Sequence, residues 1–152
     1  MHSDRRSNLI NRINCTIAAV VLLASACNFE RTTNVKIRGD YPPIFVLAGS
    51  GDLVEMYIYE PGFEGSLSDE SHAIWKIKSE VMHGRPVEEV GTITYGVVPE
   101  DFKQIVPKNE ESPMTLRSGN KYKFNVVTGN APGVKGYFEM KDRTAVIVET
   151  WH

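Results

Sequence analysis

Cysteine is nearly missing: the 152 residues hold two, Cys15 and Cys27. If Cys15 lies in a removed leader, as argued below, the mature chain can form no internal disulfide. A chain of this size buries roughly two thirds of its unfolded surface, so it needs neither a disulfide nor a metal to fold. Histidine is scarce too, at four residues, and neither His83 nor His152 has a second ligand type at i, i+2 or i, i+4. Metal sites use such spacings, so no metal or other cofactor is expected. Positive charge is not in excess: the formal net charge is −2, which argues against a nucleic-acid partner, because phosphate binding requires clustered Lys and Arg. No apolar run approaches the roughly twenty residues that span about 30 Å of hydrocarbon. From Val35 onward no window of a dozen residues carries a helical apolar stripe.

What is present begins at the amino terminus. Arg5, Arg6 and Arg12 stand against the single Asp4, and Thr16 to Ala26 is uncharged. A basic segment followed by an apolar run of about a dozen residues reads as a cleaved export signal. The triplet Ala24, Ser25, Ala26 satisfies the small-residue requirement of an ordinary secretory cleavage site. The same stretch, "LLASACNFE", resembles the lipobox of bacterial lipoproteins, in which Leu, two small residues and a Cys follow one another; Ala24 stands here where Leu is most usual. The resemblance implies cleavage between Ala26 and Cys27 and acylation of Cys27 with three fatty chains. Several chains together hold a protein at a bilayer where one would bind only reversibly.

In a cell with two membranes, Asn28 after that cysteine implies transfer to the outer membrane, facing the periplasm. A soluble periplasmic or secreted protein is the alternative. Residues 1–26 are thus expected to be the signal peptide, 27–34 the lipidated N-terminus and its tether, and 35–152 one domain. Loss of three arginines and Asp4 moves the net charge from −2 to −4. The tether sequence "NFERTTN" reaches at most about 25 Å when extended.

The rest alternates with a period of two. "NVKIRG" sets Val35 and Ile37 against Lys36 and Arg38, "AIWKIK" sets Trp75 and Ile77 against Lys76 and Lys78, and "KYKFNVV" puts Tyr122, Phe124 and Val126 on one face. The lysines are expected on a solvated outer face. "IFVLA", "DLVEMYIYE", "TITYGVV", "FKQIV", "KGYFEM" and "TAVIVETW" complete a set of about seven or eight short strands separated by Gly, Pro and Asn. Such spacing predicts an all-β antiparallel sandwich or barrel.

"LRSGNKY" places Leu116, Gly119 and Tyr122 at three-residue offsets and resembles the tyrosine corner of fibronectin type III and other immunoglobulin-like domains. That resemblance implies an immunoglobulin-like sandwich, with the Tyr hydroxyl bonded back to the preceding bend. Ser118 replaces the usual Pro, and "TAVIVETW" is one strand more than the pattern needs. "ITYGVVPEDFKQIVP" and "AGSGDL" look like parts of small bacterial lipoproteins, which implies envelope location and no activity.

Catalytic spacing is absent. Ser68, Asp69, Glu70, Ser71 and His72 offer triad residue types, but neighbours on one loop do not converge as nucleophile, base and orienter must. Glu88-Glu89 and Glu110-Glu111 read as surface charge, and the glycines of "GSG" and "GNAPG" lack the helix and Lys of a phosphate cradle. The chain therefore reads as a non-enzyme: a lipid-anchored envelope protein whose sandwich binds or scaffolds an envelope protein or glycan. Phe63 and His72 on one loop and Asn130 on another are the candidate recognition residues, and the two loops are expected at one end of the sandwich. The alternative is an envelope hydrolase acting on peptidoglycan or polysaccharide through loop carboxylates.

Overall fold

The computed structural model describes residues 32–39, 41–67, 69–109 and 111–152. The signal segment, its cleavage site at Ala26 and the lipid acceptor Cys27 lie outside the described residues.

Period-two alternation builds two antiparallel sheets. The smaller holds β1 (Thr33–Arg38), β2 (Ile44–Gly49) and, after β3 (Asp52–Tyr59), β4 (Ala73–Ser79) and β5 (Arg85–Pro86), a short β6 (Thr92–Thr94), in the order β1-β2-β6. With β7 (Phe102–Val106), β8 (Lys121–Gly129), β9 (Val134–Lys141) and β10 (Thr144–Trp151), the larger sheet runs β10-β9-β8-β3-β4-β7, and β5 pairs with the start of β3. The order β1-β2-β6 facing β9-β8-β3-β4 is that of an immunoglobulin-like sandwich, A-B-E against G-F-C-C′. The added strands β7 and β10 extend both edges of the larger sheet, so the described residues hold ten strands rather than seven or eight. One helical turn, α1 (Val87–Val90), carries Glu88 and Glu89, both exposed; they sit on a helix and not on strand or loop.

The core lies between the sheets. Phe45 of β2 meets Phe124 of β8 and Phe138 of β9 edge-on, with ring centroids 5.9 and 5.6 Å apart. Such pairs add about 0.5–1.5 kcal/mol each beyond their buried area. Trp75 is fully buried and its indole N–H donates to Gln104 Oε1 at 3.1 Å, which satisfies the one polar atom it brings inside. Gly136 makes room for the ring of Phe124, whose Cζ lies 2.6 Å from where a Cβ would be. At the start of β8 the Tyr122 hydroxyl accepts the Arg117 backbone N–H at 2.8 Å, Leu116 is buried, and Gly119 turns the chain with φ of 79°.

Two expectations fail here. Lys76 and Lys123 are only 4% and 6% exposed, so the outer face of the larger sheet is not bare. It is covered by the segment between β3 and β4. Nor do the two loops spring from one end. Ile58 pairs with Phe124 and Asp52 with Gly129, so the segment after Tyr59 leaves one end of β3 while Gly129–Gly133 joins strands at the other. Antiparallel neighbours alternate their connections between ends, which fixes that separation.

Candidate functional site

Residues two apart share a face, so Tyr57 and Tyr59 both point outward from β3 while Met56 and Ile58 enter the core. The chain beyond Tyr59 folds back over this face. It lays down a column of rings: Tyr57 on Tyr59 at 5.7 Å, Tyr59 on Phe63 at 5.0 Å, and Phe63 on His72 at 4.7 Å. The Tyr59 hydroxyl donates to the Leu67 carbonyl, and Tyr57 donates to Glu55 Oε2. Burial pushes both phenols above their usual 10, and at Tyr57 the bond to Glu55 acts in the same direction.

Lys76, beside Tyr57 on β4, has its ammonium 4.6 Å from the Tyr57 ring centre. It bonds Glu70 and lies 3.5 Å from Glu55, which Lys78 also reaches at 3.0 Å. Burial opposes its charge, but bonds to Glu70 and Tyr57 and the charge of Glu55 outweigh burial and hold the ammonium above its usual range. For Glu55, burial is likewise outweighed by bonds from Tyr57 and Lys78 and by Lys76, so its carboxyl titrates below the usual 4.5. Lys123 is held differently: its Nζ donates to the Gly65 carbonyl at 3.1 Å and lies 5.5 and 5.9 Å from the Phe63 and Tyr137 rings. Among the described residues no carboxylate comes within ion-pair range of it.

Beside this covered patch a groove of about 390 Å³ stays open, lined by Tyr57, Leu67, Asn125, Val126, Val127, Thr128, Gly133 and Lys135. Lys135 forms no ion pair or side-chain hydrogen bond among the described residues. It pairs across strands with Trp151, whose ring lies 5.4 Å from that of Tyr137. Both rings are half-buried on the outer face. The groove is thus lined by one aromatic ring, one amide, two hydroxyl side chains and one unpaired ammonium, with the Tyr137–Trp151 pair flanking Lys135 outside it.

The residues singled out in the sequence are dispersed. Phe63 and His72 belong to the ring column, where His72 Nδ1 also contacts Glu60, so they build the cover and are not free loop tips. Asn130 lies at the other end and donates to Asp52 Oδ2 at 2.7 Å. Leu116, Gly119 and Tyr122 serve the bend before β8. Ser71 donates to Asp69 through both its N–H and its Oγ, while His72 Nε2 is 3.9 Å from the other Asp69 oxygen; serine and imidazole engage carboxylates and not each other. Among the described residues, no three His, Cys, Asp or Glu cluster as a metal site, and no helix is long and apolar enough to cross a membrane. Sequence reading passes over Tyr57, Lys135 and Tyr137 and leaves Trp151 open between closing the core and lying exposed, although Lys135 and Tyr137, two apart in "KGYFEM", share a face. No family model, curated protein or solved structure matches the chain significantly.

Proposed function

We propose that this is a cell-envelope protein, anchored through acylated Cys27, whose sandwich is a binding module with its recognition surface on the outer face of the larger sheet. The groove beside Lys135 supports this reading. A cation with no internal partner, set between Asn125 and the Tyr137–Trp151 pair, suits a ligand that combines a polar or anionic group with a flat or C–H-rich face. Envelope glycans and protein segments both offer that chemistry. In a two-membrane cell the domain would stand on the outer membrane and face the periplasm.

The hydrolase reading is weaker. Glu55 and Glu70 do converge, but on Lys76, which occupies the space a scissile bond would need. A glycosidase acid must be held protonated near neutrality, whereas Glu55 is shifted the opposite way.

Photo-crosslinking from the groove in intact cells, with fatty-acid labelling of wild type and Cys27→Ser in parallel, tests the proposal. One specific adduct lost in Lys135→Glu and Trp151→Ala is expected, with label on wild type alone. Adducts to lipid and abundant porins only would discard the binding surface, and an unlabelled wild type would discard the anchor.

A further inference from the structure

We propose that the sandwich stands end-on upon the bilayer, with Val81 and Met82 as the tip that contacts lipid. This rests on the anchor at Cys27 but not on the groove. The chain enters the domain at a fixed point: Thr33 Oγ1 donates to the Ser50 carbonyl at 2.9 Å and lies 3.4 Å from Thr128 Oγ1. The β2–β3 turn, the β8–β9 loop and the start of β1 therefore share one end.

The β4–β5 turn shares it too, because the His83 carbonyl approaches Gly129, 3.4 Å from where a Cβ would be. That turn is fixed by Val81 N–H to Ser79 Oγ at 3.1 Å and Gly84 N–H to the Val81 carbonyl at 3.0 Å. On it Met82 is 83% exposed and Val81 41%, an adjacent apolar pair held out in water by a rigid bend. Single exposed apolar residues are ordinary; a pair at the point where a lipid tether leaves has a partner at hand.

Reach decides the orientation. From Cys27 to Thr33 an extended chain covers at most about 22 Å, less than the roughly 26–30 Å length of an eight- or nine-residue strand. The anchored end consequently meets the surface first. Charge selects the lipid class: Arg85 is held by Glu89 at 3.0 Å and Asp101 at 3.1 Å, and Asp52 by Asn130, which leaves Glu80 and Glu88 exposed with no cation on them among the described residues. Lys103 and Lys135 also stand near this end without a carboxylate among the described residues, but they do not outnumber its acids, so the surface the end fits is zwitterionic.

The test places a single thiol at position 82 or at position 143 of the full-length, membrane-processed protein. Arg143 lies in the β9–β10 turn at the opposite end. Each thiol is labelled with an environment-sensitive fluorophore, and the proteins are reconstituted in phosphatidylcholine vesicles carrying a headgroup-depth nitroxide lipid. With Met82→Cys the emission should shift to the blue and be quenched several-fold more than with Arg143→Cys. Adding Val81→Asp should reverse the shift while vesicle association persists. Equal quenching at the two positions, on protein that carries fatty-acid label at Cys27, overturns the end-on seat and leaves the anchor standing. Protein without fatty-acid label overturns the anchor, and the seat with it.

Discussion

At the scale of single residues, the outer face is defined by buried polar side chains with specific partners. Removing the Tyr59 hydroxyl strips the Leu67 carbonyl of its donor; Tyr59→Phe should cost about 1 kcal/mol of unfolding free energy in denaturant titration. Lys76→Met fits the space but leaves Glu55 and Glu70 without their shared cation, and about 1–3 kcal/mol should be lost. The acid limb of the stability profile follows from Glu55. Its folded carboxyl titrates below the usual 4.5, so its contribution is complete above that value and disappears as pH falls through the lowered one. Glu55→Gln should flatten that limb, read as midpoint against pH; an unchanged slope would assign acid sensitivity elsewhere.

At the scale of elements, alternation in "KYKFNVV" and "AIWKIK" was enough to place the core residues, because a half-buried strand must segregate its faces. The same alternation misjudged Lys76 and Lys123. Their solvent is removed by the segment between β3 and β4, close in sequence to Lys76 but remote from Lys123, and no local pattern in residues 60–72 announces that it folds back across the sheet. "TITYGVV" was legible as a strand, yet pairing stops at Thr94 because a turn follows, closed by Val97 N–H to the Thr94 carbonyl at 3.0 Å with Gly96 at φ of 81°. The opposite-end placement of Phe63 and Asn130 was deducible from antiparallel topology alone, once β3 and β8 are known to pair. Gly136 is the tightest test of the β8–β9–β10 layer. Its Cβ would collide with the Phe124 ring and the Glu149 carbonyl, so Gly136→Ala should lower stability by about 3 kcal/mol, measured by thermal or denaturant unfolding.

At the scale of the whole molecule, the groove and the end at which β1 begins are adjacent: Thr128 lines the groove and contacts Thr33. With the proposed anchor at Cys27, a ligand held there would be met close to the lipid headgroups. The described chain also finishes where it starts, since His152 Nδ1 contacts the Gly133 carbonyl at the far side of the same loop. That coincidence makes the domain reversible in the engineering sense. Joining residue 152 to residue 33 by a short linker, reopening the backbone at Asp142-Arg143 and moving the proposed lipid tether to the new N-terminus would give a circular permutant with the same two sheets, but suspended head-down, its groove carried a full strand length out from the membrane.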